Sequence, residues 1–154
     1  MKRILVIITT AFTSTGGLAS VMLNYYRSLD KKELQIDFAS TNIVAPDLNA
    51  EIRKNGSKYY RLPKRKNIFF YWKAVKSLSR NYDIVHVHAN SATAVIELSA
   101  AKAAGVAKRI HHNHNSKTKH PVINALAHPF FKHSYTNAIA CSQLAGDWLF
   151  GKGK

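Results

Sequence analysis

Residues 4–29 read Ile4-Leu5-Val6-Ile7-Ile8-Thr9-Thr10-Ala11-Phe12-Thr13-Ser14-Thr15-Gly16-Gly17-Leu18-Ala19-Ser20-Val21-Met22-Leu23-Asn24-Tyr25-Tyr26-Arg27-Ser28-Leu29, and three textures follow one another in them. The five apolar residues 4–8 have the character of a parallel strand covered on both faces. A small polar stretch, 13–17, follows. Leu18, Val21, Met22, Tyr25 and Leu29 then recur at i, i+3, i+4, i+7 and i+11, which predicts one apolar helical stripe ending at Asp30-Lys31-Lys32. Strand, glycine turn and helix open an α/β domain.

Working outward, the unit repeats. Residues 34–40 read as a second strand, with Leu34, Ile36 and Phe38 alternating, 46–54 as a short helix and 59–62 as a third strand. Helix is predicted over 68–80, strand over 83–88, an alanine-rich helix over 92–104 and strand over 108–113. Residues 122–132 read as helix, 138–140 as a short strand and 143–150 as a last helix. This alternation predicts a Rossmann-like three-layer α/β domain, a parallel sheet with helices on both faces, over residues 1–150. Residues 151–154, Gly151-Lys152-Gly153-Lys154, read as the start of a linker to a second domain. Ligands of such sheets bind outside the carboxyl ends of the strands, near the point where strand order reverses. The segments to inspect are therefore 9–17, 40–42, 88–90 and 113–116.

Composition bounds the partners. The 154 residues are 46% hydrophobic and 20% charged, which excludes disordered and low-complexity classes and suits one domain. Lys and Arg number 23 against 8 Asp and Glu, a formal charge of +15 that calls for a polyanionic partner: nucleic acid, an anionic bilayer or phosphate-bearing substrates. A lone cysteine, Cys141, excludes an internal disulfide and fits a cytoplasmic location. The apolar run after Met1-Lys2-Arg3 is shorter than a signal-peptide core, and no run approaches the roughly 20 apolar residues that cross a bilayer. Any membrane contact is expected to be peripheral.

Gly16 and Gly17, between strand and helix, would let backbone N–H groups approach a phosphate, or simply make a tight turn. The dinucleotide fingerprint needs three spaced glycines and an acid ending the second strand, where Ala39-Ser40 stands. There is no P-loop pattern either, and no cofactor is expected. Eight histidines are many, and strand alternation puts His86 with His88, and His112 with His114, on one face of their strands. His88, at its strand's end, is the candidate to meet a ligand, since an imidazole poised near neutral pH can take a hydroxyl proton or hydrogen-bond a sugar or phosphate; His86, mid-strand, reads as a core or supporting group. A zinc set of His88, His112 and His114 is conceivable, but no H-E-x-x-H helix supports it, so no metal is expected. The scattered carboxylates offer no glycosidase pair. Ser142 reads as a helix N-cap rather than a nucleophile. Between Glu51 and Asp83 lie ten basic residues and no acid. Within that stretch the helical wheel puts Ile68, Tyr71, Trp72, Val75 and Leu78 on a core arc, and Phe69 beside Lys73, Lys76 and Arg80 on an outer one. With Lys64, Arg65 and Lys66 these outer residues are expected to meet an anionic membrane surface.

Four segments in order resemble the amino-terminal domain of family 4 glycosyltransferases of the GT-B fold, especially bacterial enzymes of capsular and exopolysaccharide assembly. They are Thr15-Gly16-Gly17-Leu18, the stretch 82–90 around Asp83-Ile84-Val85-His86-Val87-His88, the stretch 109–115 and the stretch 140–151. The resemblance implies one half of a GT-B enzyme: an acceptor-binding amino-terminal domain, and a retaining sugar transfer from a nucleotide-sugar donor bound by the other domain to a membrane-bound, lipid-linked glycan. It implies His88 as the catalytic-pocket histidine, Gly16 and Gly17 facing the donor diphosphate or acceptor, and Asn90, His112, Asn113, His114 and Asn115 lining the same cleft. The family's paired glutamates belong to the second domain, so this chain alone is expected to be inactive, in a protein held at the cytoplasmic face of the cell membrane. The competing reading, a small basic α/β nucleic-acid-binding module, lacks an RRM, KH or helix-turn-helix pattern, and no nucleic-acid partner is expected.

Overall fold

In the computed structural model, β1 (Lys2–Ile8) runs through the middle of the molecule, its last four residues buried. The structure describes all residues except 11, 13–16, 31, 153 and 154, and of residues 17–19 the backbone only. The other strands are β2 (Leu34–Ser40), β3 (Tyr59–Arg61), β4 (Ile84–Ala89), β5 (Lys108–Asn113) and β6 (Asn137–Ala140). All pair in parallel, in the order β3-β2-β1-β4-β5-β6. This is the expected Rossmann-like half of a GT-B fold, with strand order reversing between β1 and β4.

Two helices, α1 (Gly17–Ser28) and α2 (Pro46–Lys54), cover one face, closing Met22, Leu23, Tyr26, Leu48 and Ile52 on Val6, Ile8, Ile36 and Phe38. The other face, carrying Leu5, Ile7, Val85 and Val87, packs against α3 (Ile68–Ser79), α4 (Val95–Ala103), α5 (Pro121–Phe131) and α6 (Gln143–Phe150). A 3-10 turn, Ala92–Ala94, leads into α4, which shortens the helix predicted there.

One helix sits differently from its wheel and a second departs from it at one residue. On α1 the buried residues are Met22, Leu23 and Tyr26, while Val21, Tyr25 and Leu29 are exposed. The Tyr26 hydroxyl decides this rotation: it meets Ser57 Oγ at 2.7 Å while its ring stands edge-on to Phe38. On α3 the expected core arc holds for Tyr71 and Val75, which are buried, and for Trp72 and Leu78, which pack against the core, whereas Ile68 departs from it and is exposed. The Tyr71 hydroxyl holds the arc inward by donating to the buried Glu97 carboxylate at 2.7 Å. Among the described residues, no helix is long and apolar enough to cross a membrane.

Candidate functional site

Strand register assembles the histidines. His88 stands beside Ile8 of β1 and His112 of β5, and His86 lies one pleat below on the same face. With two residues per pleat, His86, His88, His112 and His114 gather into one stack on the α1 side of the sheet, as alternation predicts. Ring centroids lie 4.2 Å apart for His86–His88 and His112–His114, and 4.8 Å apart for His88–His112. His88 Nδ1 lies 2.8 Å from His114 Nε2. The backbone of the same strand end is tied to β1, since Thr9 donates to the His88 carbonyl from both N and Oγ1 at 3.1 Å.

Burial separates the four rings. His88 is fully buried and His112 nearly so, while His86 and His114 are partly exposed. The mid-strand ring therefore opens on a groove of about 320 Å3 lined by Val6, Met22, Tyr25, His112 and Ile139, and the strand-end ring stays behind His114. Burial first, and then the repulsion of neighbouring imidazolium charge, pushes His86 down to about 3 and His112 to about 4. The same causes hold His88 well below its ordinary value, and burial lowers His114. At neutral pH the stack is uncharged. A ring so disinclined to take a proton is a poor general base, but a good neutral partner for a sugar hydroxyl.

Several buried polar atoms here have no hydrogen-bond partner among the described residues: His86 Nε2, His88 Nε2, His112 Nδ1, Asn90 Oδ1 and Asn113 Oδ1. Such atoms are costly to leave unpaired, and five at the carboxyl ends of two neighbouring strands mark a place built to receive polar groups. Asn113 is also structural: its Nδ2 donates to Asn115 O at 2.7 Å and to Ala145 O at 2.8 Å, fixing the start of α6 to the end of β5. Asn115 is exposed, and its Oδ1 accepts from Ser116 N at 3.2 Å. Gly17 is the first residue of α1, and Gly16 lies outside the described residues. One nitrogen from each of His86, His88 and His112 lies within 4.8 Å of the other two, so these rings could hold a metal ion. That trio differs from the conceivable set His88, His112 and His114, and His114 Nε2 instead meets His88 Nδ1.

The basic strip is divided rather than continuous. Lys64, Lys66, Lys73, Arg80 and Phe69 are exposed and Lys76 is partly so. Lys73 Nζ stands 4.5 Å from the Phe69 ring centroid. Arg65 is committed inward: its Nε lies 3.2 Å from the fully buried Glu97 Oε1, and its Nη2 donates to Thr93 O at 2.9 Å. Exposed Ile68 and Phe70 extend the Phe69 patch. The wheel missed both because it assigned Ile68 to the core; the signal available was three bulky apolar residues in a row.

The match to a family model covers residues 15–152, and the family is Glycosyltransferase Family 4. The chain belongs to that family. Over 98% of its length it is 28% identical to EpsF of Bacillus subtilis (strain 168), a protein named as a glycosyltransferase. Its fold is similar to that of MurG from Acinetobacter baumannii (13% identity, TM-score 0.63, 92% of this chain covered). It is also similar to HepE from Anabaena, solved in complex with UDP-glucose (14% identity, TM-score 0.69, 99% covered). In each case the family 4 chain spans 41% of the other protein's length.

Proposed function

We propose that this chain is the acceptor-side half of a retaining glycosyltransferase that moves a sugar from a nucleotide-sugar donor to a membrane-bound, lipid-linked glycan in bacterial polysaccharide synthesis. The observation that carries this reading is the set of unpaired buried polar atoms, from His86, His88, His112, Asn90 and Asn113, at the carboxyl ends of β4 and β5. Family membership supports the chemistry, the EpsF likeness the polysaccharide context, and the UDP-glucose held by HepE the class of donor. His114, partly exposed, is the ring that meets an acceptor hydroxyl. His88 acts through it as a positioning residue, the 2.8 Å contact fixing tautomer and ring angle. Asn90 and the stretch 112–115 line the acceptor side, and the glycine pair Gly16-Gly17 is assigned to the donor diphosphate or acceptor, as the family resemblance implies. Exposed Lys64, Lys66, Lys73 and Arg80 hold this half against the anionic inner face of the cell membrane.

The complete enzyme tests this. His114→Ala should lower transfer about tenfold, the usual worth of one hydrogen bond to the acceptor hydroxyl. His88→Ala should lower kcat at least as much, while His88→Asn, which restores a donor, recovers part of it. Near-normal kcat in both alanine variants, with folding intact, would remove the histidine stack from the mechanism.

A further inference from the structure

Helix α5 turns Asn124, His128 and Phe131 inward and four other large apolar side chains outward. Asn124 Oδ1 accepts from Ala92 N at 2.8 Å, and His128 Nε2 lies 2.8 Å from Leu149 O. Phe131 closes an aromatic group with His111, Tyr135 and Phe150. These contacts fix how the helix is rotated, so the opposite arc faces solvent. That arc holds Val122, Ile123, Leu126, Pro129 and Phe130, at i, i+1, i+4, i+7 and i+8. Its four large side chains are 70%, 55%, 70% and 72% exposed for Val122, Ile123, Leu126 and Phe130. A surface helix ordinarily buries its apolar arc, and a contiguous exposed one marks an interaction surface.

We propose that this arc is a membrane-docking surface that enters the interface of an anionic bilayer leaflet. Charge selects the occupant. No carboxylate occurs between Glu97 and Asp147, while exposed Lys117, Lys119 and Lys132 flank the helix at its two ends. An apolar arc bordered by cations without acids is the pattern of a helix lying in the headgroup plane. At 11 residues, α5 is too short to span and long enough to lie flat.

A second patch makes the surface directional. Ile68, Phe69 and Phe70 are 57%, 61% and 61% exposed on the first turn of α3, beside Lys64 and Lys66. The α3 and α5 ends are tied to one structural element: Arg65 donates to Thr93 O, and Asn124 accepts from Ala92 N, both in the 3-10 turn Ala92–Ala94. That turn follows β4 directly, at the carboxyl edge where His88 and Asn90 lie. Two apolar patches on elements tied to that edge of the sheet would therefore bring it down to the leaflet. This deepens the proposed function, on which it rests for a lipid-linked acceptor.

The test is flotation with vesicles of about one-third phosphatidylglycerol in phosphatidylcholine, against phosphatidylcholine alone. It uses wild type and the double variant Leu126→Ser with Phe130→Ser, with melting temperature and molar mass in solution measured on each. The double variant should keep its fold and lose at least about tenfold in partitioning to the anionic vesicles. Wild-type flotation by the variant, or none by either protein, overturns the proposal. A wild-type dimer that the variant converts to monomer without changing flotation overturns it too, making the arc a self-association surface. The two readings fail separately: transfer by the complete enzyme to a water-soluble acceptor without vesicle binding sinks the docking surface alone, whereas vesicle binding without any transfer sinks the enzymatic reading alone.

Discussion

His111 sits on the face of β5 opposite the histidine stack, fully buried with both ring nitrogens unpaired among the described residues, edge-on to Phe131 and Phe150 at 4.8 and 5.7 Å. Its burial pushes its pKa down to about 3. Between that value and the ordinary 6.5 the unfolded chain binds the proton and the folded chain does not, so this contribution to stability is complete above about pH 6.5 and drains away as pH falls toward 3. His86 and His112 follow the same sign over the same window. His111→Phe keeps the aromatic contacts and removes two unpaired nitrogens; it should stabilise the fold by about 1–2 kcal/mol at pH 7 and by more at pH 4.5. Thermal melts at both pH values check this, and a variant less stable than wild type at both would mean the nitrogens are paired. Arg65→Gln tests the opposite case, a charge whose partner cannot leave. Glu97 would remain buried without its guanidinium partner, and because Arg65 is partly solvated the cost should fall near the lower end of the range for broken buried pairs, about 3 kcal/mol. The same variant should bind anionic vesicles nearly as well as wild type, since that guanidinium already faces inward. Strand alternation made the shared ring face readable in advance, because a period of two depends only on residue number. Which ring reaches solvent was not readable, because it depends on what β1 and β5 place around each one.

At the scale of elements, caps and strands were legible because their signals are local. Ser142 accepts from Ala145 N at 3.2 Å as the N-cap of α6, the role its position before an apolar helical stretch predicts. Ser142→Ala should therefore cost about 1 kcal/mol in a denaturation curve and leave transfer by the complete enzyme unchanged; a loss of transfer at unchanged stability would return Ser142 to the list of catalytic candidates. Helix rotation was less legible. On α1 the Tyr26 hydroxyl reaches Ser57, a polar partner supplied from another part of the chain, and a wheel counting only apolar residues has no knowledge of that partner; on α3 the wheel placed Tyr71 and Val75 correctly and missed only the exposure of Ile68. The same blindness hid α5. Its outward arc looks like a core arc on a wheel, and only the inward contacts of Asn124 and His128 reveal that the helix faces the other way.

On the whole molecule the surplus of charge is uneven, and that unevenness gives a separable prediction. Two long stretches, 52–82 and 98–146, hold no carboxylate. The first supplies exposed Lys64, Lys66 and Lys73 around the Phe69 patch, and the second supplies Lys117, Lys119 and Lys132 around the α5 arc. Coulombic attraction to a leaflet is screened over about 8 Å at physiological ionic strength, whereas insertion of apolar side chains is not screened. The two contributions should therefore respond differently to salt. Changing Lys64, Lys66, Lys73 and Lys76 to Gln removes about 1 kcal/mol per cation near the surface, so at low salt this variant should partition to phosphatidylglycerol vesicles far less than wild type. Raising the salt should bring wild type down toward the variant, and the variant itself should change little. The α5 variant should show the reverse: weak binding at every salt concentration with its remaining salt slope intact. Additive losses on combining the two sets would mean one bilayer contact made by two patches on the same edge of the sheet. If the lysine variant kept the full wild-type salt slope, the charge that senses the membrane would lie elsewhere, and the 52–82 stretch would have no part in docking.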